Sequence, residues 1–269
     1  MSDTDDRTAT ATEGETTDAW DVVVVGDGPA GLTAATFAAR HGLSTLFVGT
    51  GESILRRNAH LANFPGFPAG VDARLLLDAM HDQAERSGAE RRAAEVTGVV
   101  RTTGDPETDG PAGVQGFVVE TVDGDRFATR YVVAATKNAV DYLAGLEVEL
   151  VDHGKTFVAT DESGRTSVPG LYAAGRLAGK PHQAVVAAGH GAEVAVTLLE
   201  DDETPFYHDW VTPEGYFTGR GRDVPPGCEE IPESEWRARE RESRETMRRY
   251  FAEPHPDDPE QHPSVREEE

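Results

Sequence analysis

Residues 20–201 predict an α/β fold built on a mostly parallel sheet, and three observations carry that prediction. Short apolar runs alternate with longer helical segments, glycine marks the turns between them, and nearly all the Val, Leu and Ala of the 269-residue chain lies in this stretch. Residues 21–25 are apolar after their first position, as strands covered on both faces of a parallel sheet are. A helix is expected over 29–41, because Pro29 suits a first helical position and Gly42 the residue past the end. Residues 44–48 read as the second strand. A second helix is expected over 72–87, with Asp72 as N-cap and Gly88 as terminator. Residues 95–102 and 116–122 read as strands, and Asp123-Gly124-Asp125 turns the latter into a strand over 126–135, which makes a hairpin. Residues 170–174 form a short strand feeding Gly175, and residues 183–199 an Ala- and Val-rich helix.

The flanks differ in composition. Residues 1–19 hold acids, Thr and Ala without periodicity and read as a disordered acidic lead. Residues 202–252 form an aromatic and charged extension, and residues 253–269 are expected to be a disordered tail. Within the extension, residues 232–251 read as a helix laced with Glu and Arg at i, i+4 spacing. Its aromatic cluster, Phe206 to Trp210 with Tyr216 and Phe217, is too apolar to stay wholly exposed. It is expected either to clasp the core, to fold over a cofactor, or to meet a partner.

The net charge is −24, and 22 of the 25 basic residues are arginine, leaving only Lys137, Lys155 and Lys180. Such an acid excess sets the field of the whole chain against nucleic acid and anionic membrane surfaces. It fits a cytoplasm with molar salt, where the Debye length falls to roughly 3 Å; an ordinary acidic protein is the alternative. The N-terminus lacks the basic start and apolar stretch of a signal peptide, and no apolar run reaches the ~18 residues of a membrane span, so a cytoplasmic location is expected. The single cysteine, Cys228, excludes an internal disulfide and any Cys-x-x-Cys pair in this chain. No His, Cys and carboxylate spacing suggests a metal site.

The motif with the most chemistry is Gly26-Asp27-Gly28-Pro29-Ala30-Gly31, a G-x-G-x-x-G after a strand and opening a helix. Gly26 permits the tight turn, Gly28 lets a pyrophosphate approach the backbone, and Gly31 lets the helix lie close on the strand. The helix start offers free N–H groups and positive potential to phosphates. Such Rossmann-like sites usually carry an acid at the end of the second strand for a ribose. Here that acid is missing and Glu52 arrives a few residues late, equally able to bend back or to face water.

Together with that turn, Asn63-Phe64-Pro65-Gly66-Phe67-Pro68, Asp82-Gln83-Ala84-Glu85, Val132-Val133-Ala134-Ala135-Thr136, Thr166 to Gly175 and His182 to Gly189 resemble the FAD domain of thioredoxin reductases. The resemblance covers residues 20–201 in order. It implies a Rossmann-like FAD domain with a three-stranded antiparallel crossover, FAD as cofactor, and homodimers as in the related reductases. It also implies Asn63 facing the flavin, Val96 giving its backbone to the adenine, and Gln183 and Ala184 offering helix N–H groups to the flavin. Several departures stand out. The family's inserted NADPH domain has no room between Thr136 and Asp141, and its dithiol is absent. Where the family has Gly-Asp at a ribityl hydroxyl, this chain has Gly175-Arg176, and Arg176 could instead pair with the pyrophosphate. The family's Gly-Gly-Gln is replaced by Ser53-Ile54-Leu55, and its Arg-Gln-Ala by His182-Gln183-Ala184. His182 reads as a proton donor or tuner beside the ring, or as a surface residue.

These features point to an FAD-dependent oxidoreductase other than a thioredoxin-disulfide reductase, exchanging electrons with a small-molecule or protein partner. Its alternatives are a non-catalytic nucleotide-binding or regulatory relative, and NAD(H) at the single glycine turn.

Overall fold

The computed structural model describes residues 17–102, 116–206 and 208–266. The chain starts with β1 (Thr17–Val25) and α1 (Pro29–Arg40), followed by β2 (Thr45–Gly49), α2 (Ala73–Arg86), β3 (Glu90–Ala93), β4 (Val96–Arg101), β5 (Phe117–Thr121) and β6 (Arg126–Ala134). A small antiparallel pair, β7 (Leu150–Asp152) and β8 (Thr156–Val158), precedes β9 (Leu171–Ala173) and α3 (Ala184–Asp201). The extension holds β10 (Val211–Pro213), β11 (Glu229–Ile231), α4 (Glu233–Phe251) and the short α5 (Pro263–Arg266).

The main sheet runs β3-β2-β1-β6-β5-β4. β3, β2, β1 and β6 are mutually parallel, with Val23 level with Leu46 and Val132. The outer edge of β6 is shared. Its first half pairs antiparallel with β5, and its second half pairs parallel with β9. β4, β5 and β6 are therefore the expected three-stranded antiparallel crossover, folded out of a parallel sheet.

The strand period of two decides the core. Val22 and Val24 enter one cluster beneath α1, α2 and α3, while Val23 and Val25 enter a second with Val99, Phe117 and Leu143. All four valines are 2% exposed or less, because both faces of β1 are covered. Each contributes roughly 1.5–3 kcal/mol relative to an exposed side chain. The α2 cap is as expected, Asp72 Oδ1 accepting from the N–H groups of Arg74 and Leu75 at 2.8 and 3.3 Å.

Several boundaries differ from expectation. β1 begins at Thr17, inside the stretch read as lead, because its first residues continue the pairing with β6. β3 carries Glu90, Arg91 and Arg92 with no apolar alternation, so only its pairing to β2 reveals it as an edge strand. β10 and β11 are parallel partners brought together across a loop that carries no strand pattern.

The extension docks far from the glycine turn, at the C-terminal end of α1. Arg40 pairs with Asp209 through both Nε and Nη2, the latter at 2.6 Å, and the His41 and Phe206 rings meet edge-on at 5.0 Å. A second anchor lies at the end of α4, where Phe251 meets Phe67 at 5.6 Å. Beyond residue 252 the chain stays in contact, with His255 Nε2 lying 3.1 Å from Asp78 Oδ2. Phe206 and Phe251 thus clasp the core, whereas Trp210 and Tyr216 stay exposed, and no residue of the extension lines the cleft described below.

Glu230 organises this clasp. Its carboxylate accepts from the N–H groups of Gly215, Phe217 and Thr218 and from the Thr218 hydroxyl. Desolvation would raise its pKa, but the Thr218, Phe217 and Gly215 hydrogen bonds outweigh it and lower the pKa from 4.5 to about 2. A depressed pKa adds stability above the ordinary carboxylate value and loses it as pH falls from 4.5 towards 2. Glu230→Gln should make the 215–231 segment several-fold more sensitive to limited proteolysis at neutral pH while the core melts as before. Equal cleavage of the two proteins would contradict this role.

Candidate functional site

The glycine turn works as its sequence suggests. Gly26 has φ of 111°, donates to the Val48 carbonyl at 2.8 Å, and leaves no room for a Cβ, which would lie 2.7 Å from the Ala135 oxygen. Gly28 is the N-cap of α1, with no side-chain cap and no acid in the first turn. The first N–H groups of α1 therefore face the cleft without an internal competitor. Gly31 packs the helix directly on the turn, since a Cβ there would lie 1.8 Å from the Gly26 oxygen. Gly191 brings α3 equally close to α1, its added Cβ falling 2.1 Å from the Ala30 oxygen.

The missing acid at the end of β2 has a steric explanation. Asp27 is only 6% exposed, and its Oδ2 accepts from Gly51 N–H at 2.8 Å. A Cβ on Gly49 would lie 2.4 Å from Asp27 Cγ, so the turn's own carboxylate occupies the space of any side chain at the strand end. Asp27 thus fixes the 49–51 loop. Glu52 follows on this loop, exposed on the cleft wall, with Glu95 and Val96 beside it at the start of β4.

At the other end, Gly175 (φ 64°) lies against α1, where a Cβ would be 2.7 Å from that of Ala30. Its N–H donates to His190 Nδ1 at 2.9 Å, which places the His190 proton on Nε2. No local pattern marks that buried histidine. The Arg176 guanidinium lies over the Phe157 ring at 4.9 Å and donates to the Lys180 carbonyl at 3.4 Å. Burial, then the charges of Lys137, Arg176 and Lys155, push the His182 imidazole below its ordinary pKa, so it is neutral at neutral pH. Gln183 is the N-cap of α3 and Ala184 its first residue, again with no side-chain cap. Asn63 Nδ2 donates to Gln183 Oε1 at 2.8 Å, joining two predicted residues 120 positions apart.

One cleft of about 500 Å³ brings most of these groups together. Gly26, Asp27, Gly28, Pro29, Ala30, Glu52, Val96, Arg176 and His182 line it. Gly31 and Gly175 pack behind its wall, and Asn63, Gln183 and Ala184 lie off it. Sequence reasoning missed Thr50, Ser53, Arg57, Thr136, Lys137 and Tyr142 on the same wall. The rarity of lysine was the one available signal for Lys137. Tyr142 Oη lies 3.0 Å from Thr136 Oγ1, and burial raises its pKa. From β6 the chain passes through residues 135–140 straight into the helical turn Asp141–Leu146, so no domain stands between them.

The cleft fits an adenine dinucleotide. A cradle that a Cβ would fill and an uncapped helix start suit a pyrophosphate, and Glu52 and Glu95 add carboxylates to the same cleft wall. A second uncapped helix start, that of α3, follows directly on His182, which lines the cleft. Among the described residues, no group of three or more His, Cys, Asp or Glu could hold a metal ion, and no helix is long and apolar enough to cross a membrane.

Comparisons with known proteins agree with this geometry. Residues 21–64 match the model of an FAD binding domain, and residues 72–191 that of the pyridine nucleotide-disulphide oxidoreductases. A bifunctional thioredoxin reductase/thioredoxin from Mycobacterium leprae is 37% identical over 143 residues, covering 52% of this chain and 29% of that protein. The chain thus matches less than a third of that relative's length. A thioredoxin reductase structure from Gloeobacter violaceus superposes with a TM-score of 0.58 at 22% identity, covering 67% of this chain and 94% of the other. An atypical thioredoxin reductase from Desulfovibrio vulgaris Hildenborough superposes at 0.59 with 19% identity, covering 68% and 98%. At these identities the structures speak for the fold, and the sequence matches carry the family. Over residues 21–191 the chain is thus similar in sequence to the FAD-binding, thioredoxin reductase-like family.

Proposed function

We propose that this chain binds FAD in the cleft and exchanges electrons with a separate donor or acceptor. The observation that carries this reading is the uncapped start of α1 on the cleft wall, with a second uncapped start, that of α3, directly after the cleft residue His182. α1 suits the pyrophosphate, with Arg176 able to swing from Phe157 onto it. The α3 start, with Gln183 fixed by Asn63, suits the polar edge of a flavin ring and favours its anionic reduced form. When bound, FAD supplies the redox chemistry, and the protein supplies orientation and electrostatics. His182, neutral at the rim, is positioned to hold a proton next to that ring.

The reaction differs from that of a thioredoxin reductase. The chain carries one cysteine, Cys228, whose Sγ donates to the His208 carbonyl at 3.1 Å in the extension, and no second dinucleotide domain follows Thr136. We read the partner as a diffusible or protein electron carrier, the chain as a cytoplasmic homodimer, and its acid excess as adaptation to salt. A non-catalytic relative is favoured by Arg176 in place of the ribityl-binding aspartate. Anaerobic photoreduction separates the two readings. Bleaching of the longer-wavelength flavin band and its return in air support an oxidoreductase; a bound flavin that never changes colour supports the non-catalytic reading.

A further inference from the structure

The cleft is polarised. Its carboxylates Glu52 and Glu95 stand at the β2–β4 end, whereas Arg57, Lys137 and Arg176 share the other end with His182. Lys155 is close enough to act on both Lys137 and His182, and the Lys180 carbonyl accepts from Arg176. Two of the three lysines of a chain with net charge −24, Lys137 and Lys155, are therefore gathered here. Among the described residues, none of these cations has a carboxylate partner.

Lys137 shows how much this arrangement strains against the local physics. It holds φ of 66°, a left-handed conformation that disfavours lysine and suits glycine. Burial, then repulsion from Lys155, Arg57 and Arg176, pushes its ammonium below the ordinary lysine pKa. A strained backbone and an uncompensated cluster of like charges persist together where a ligand needs them.

FAD alone does not use up this charge. Its pyrophosphate is met by the backbone of the glycine turn, the α1 start and Arg176. We propose that Lys137, Lys155 and Arg57 form a second anion site at the open end of the cleft, one that takes a phosphate-bearing small molecule approaching from the side where the chain runs directly from Thr136 to Asp141. Lys137 and Arg57 line a concave wall, so a ligand that touches both must enter the cleft. A diffusible phosphorylated electron donor has this chemistry, as has free pyrophosphate. The inference rests on the flavin reading of the same cleft.

The test uses the full chain loaded with FAD, at the lowest salt that leaves its far-ultraviolet circular dichroism unchanged. Inorganic pyrophosphate and NADPH are titrated separately by calorimetry, and each is repeated on Lys137→Gly. Glycine suits the backbone at 137, so this variant should fold and melt at the same or a higher temperature, and its FAD content is read from the visible bands before each titration. Saturable binding of either probe, weakened tenfold or more by Lys137→Gly, is the expected result. Binding of NADPH alone would identify a dinucleotide donor; binding of both would identify a general phosphate site. Absent saturation by both probes, unchanged affinity in the variant, or loss of FAD from it would each overturn the proposal. FAD loading is read first from the visible bands. Their absence defeats the flavin reading and this site with it, whereas a loaded protein that ignores both probes defeats the second site alone.

Discussion

Gly31→Ala should abolish FAD loading and lower stability by about 3 kcal/mol or more. The added methyl would stand 1.8 Å from the Gly26 oxygen and 3.3 Å from a Val24 methyl, so α1 must move off the turn. That displacement removes the close approach of backbone N–H groups on which phosphate binding depends. Both effects are measurable on one preparation, by the FAD-to-protein absorbance ratio and by denaturant unfolding. A variant that retains full FAD and native stability would show that the turn is looser than described. Gly28→Ala is the informative contrast. Its added Cβ would meet only the Ser53 hydroxyl, at 3.4 Å, so binding should suffer far more than folding.

Arg130→Ala is expected to destabilise the fold by about 2–4 kcal/mol without touching the cleft. Arg130 Nε and Nη2 donate to Asp21 Oδ1 at 3.0 and 2.7 Å, and Nη1 donates to Asp202 Oδ1 at 2.6 Å. Asp21 also accepts from the Ser44 N–H and hydroxyl, so one network ties β1, β2, β6 and the end of α3 together. The Asp202 side chain is only 7% exposed and would be left without its cation. Desolvation raises the Asp21 pKa, but hydrogen bonds from Ser44 and Arg130 outweigh it and bring it below the usual value of 3.8. A depressed pKa adds stability above the unfolded value and loses it as pH falls through the folded one. The wild type should therefore lose stability below about pH 4, and Arg130→Ala should lose less over the same range. Parallel acid-unfolding curves for the two proteins would contradict this network.

The glycine turn, α1, β2 and α3 were legible in the sequence because each rests on a local rule: an apolar run, a helix-start proline or a terminal glycine. Asn63 and Gln183 were legible only through resemblance, yet they bond to each other directly. What stayed hidden depends on distant partners. β3 is polar and is a strand only because β2 offers it an edge. Asp27 looked like part of a phosphate turn, and only the absent side chain of Gly49 shows that its carboxylate is spent on the loop. His190 acts through the Gly175 N–H, a contact between residues 15 apart that no spacing announces. Lys137 stood out only as a rare lysine, and its meaning likewise lies in neighbours drawn from three other segments.

FAD binding at the glycine turn is tested most directly by titrating the purified chain, stripped of any flavin, with FAD and following flavin fluorescence. Quenching that saturates at one FAD per chain, is lost in Gly31→Ala and is not reversed by excess NAD+ is the predicted result. Fluorescence that never saturates, or full displacement of FAD by NAD+, would contradict it.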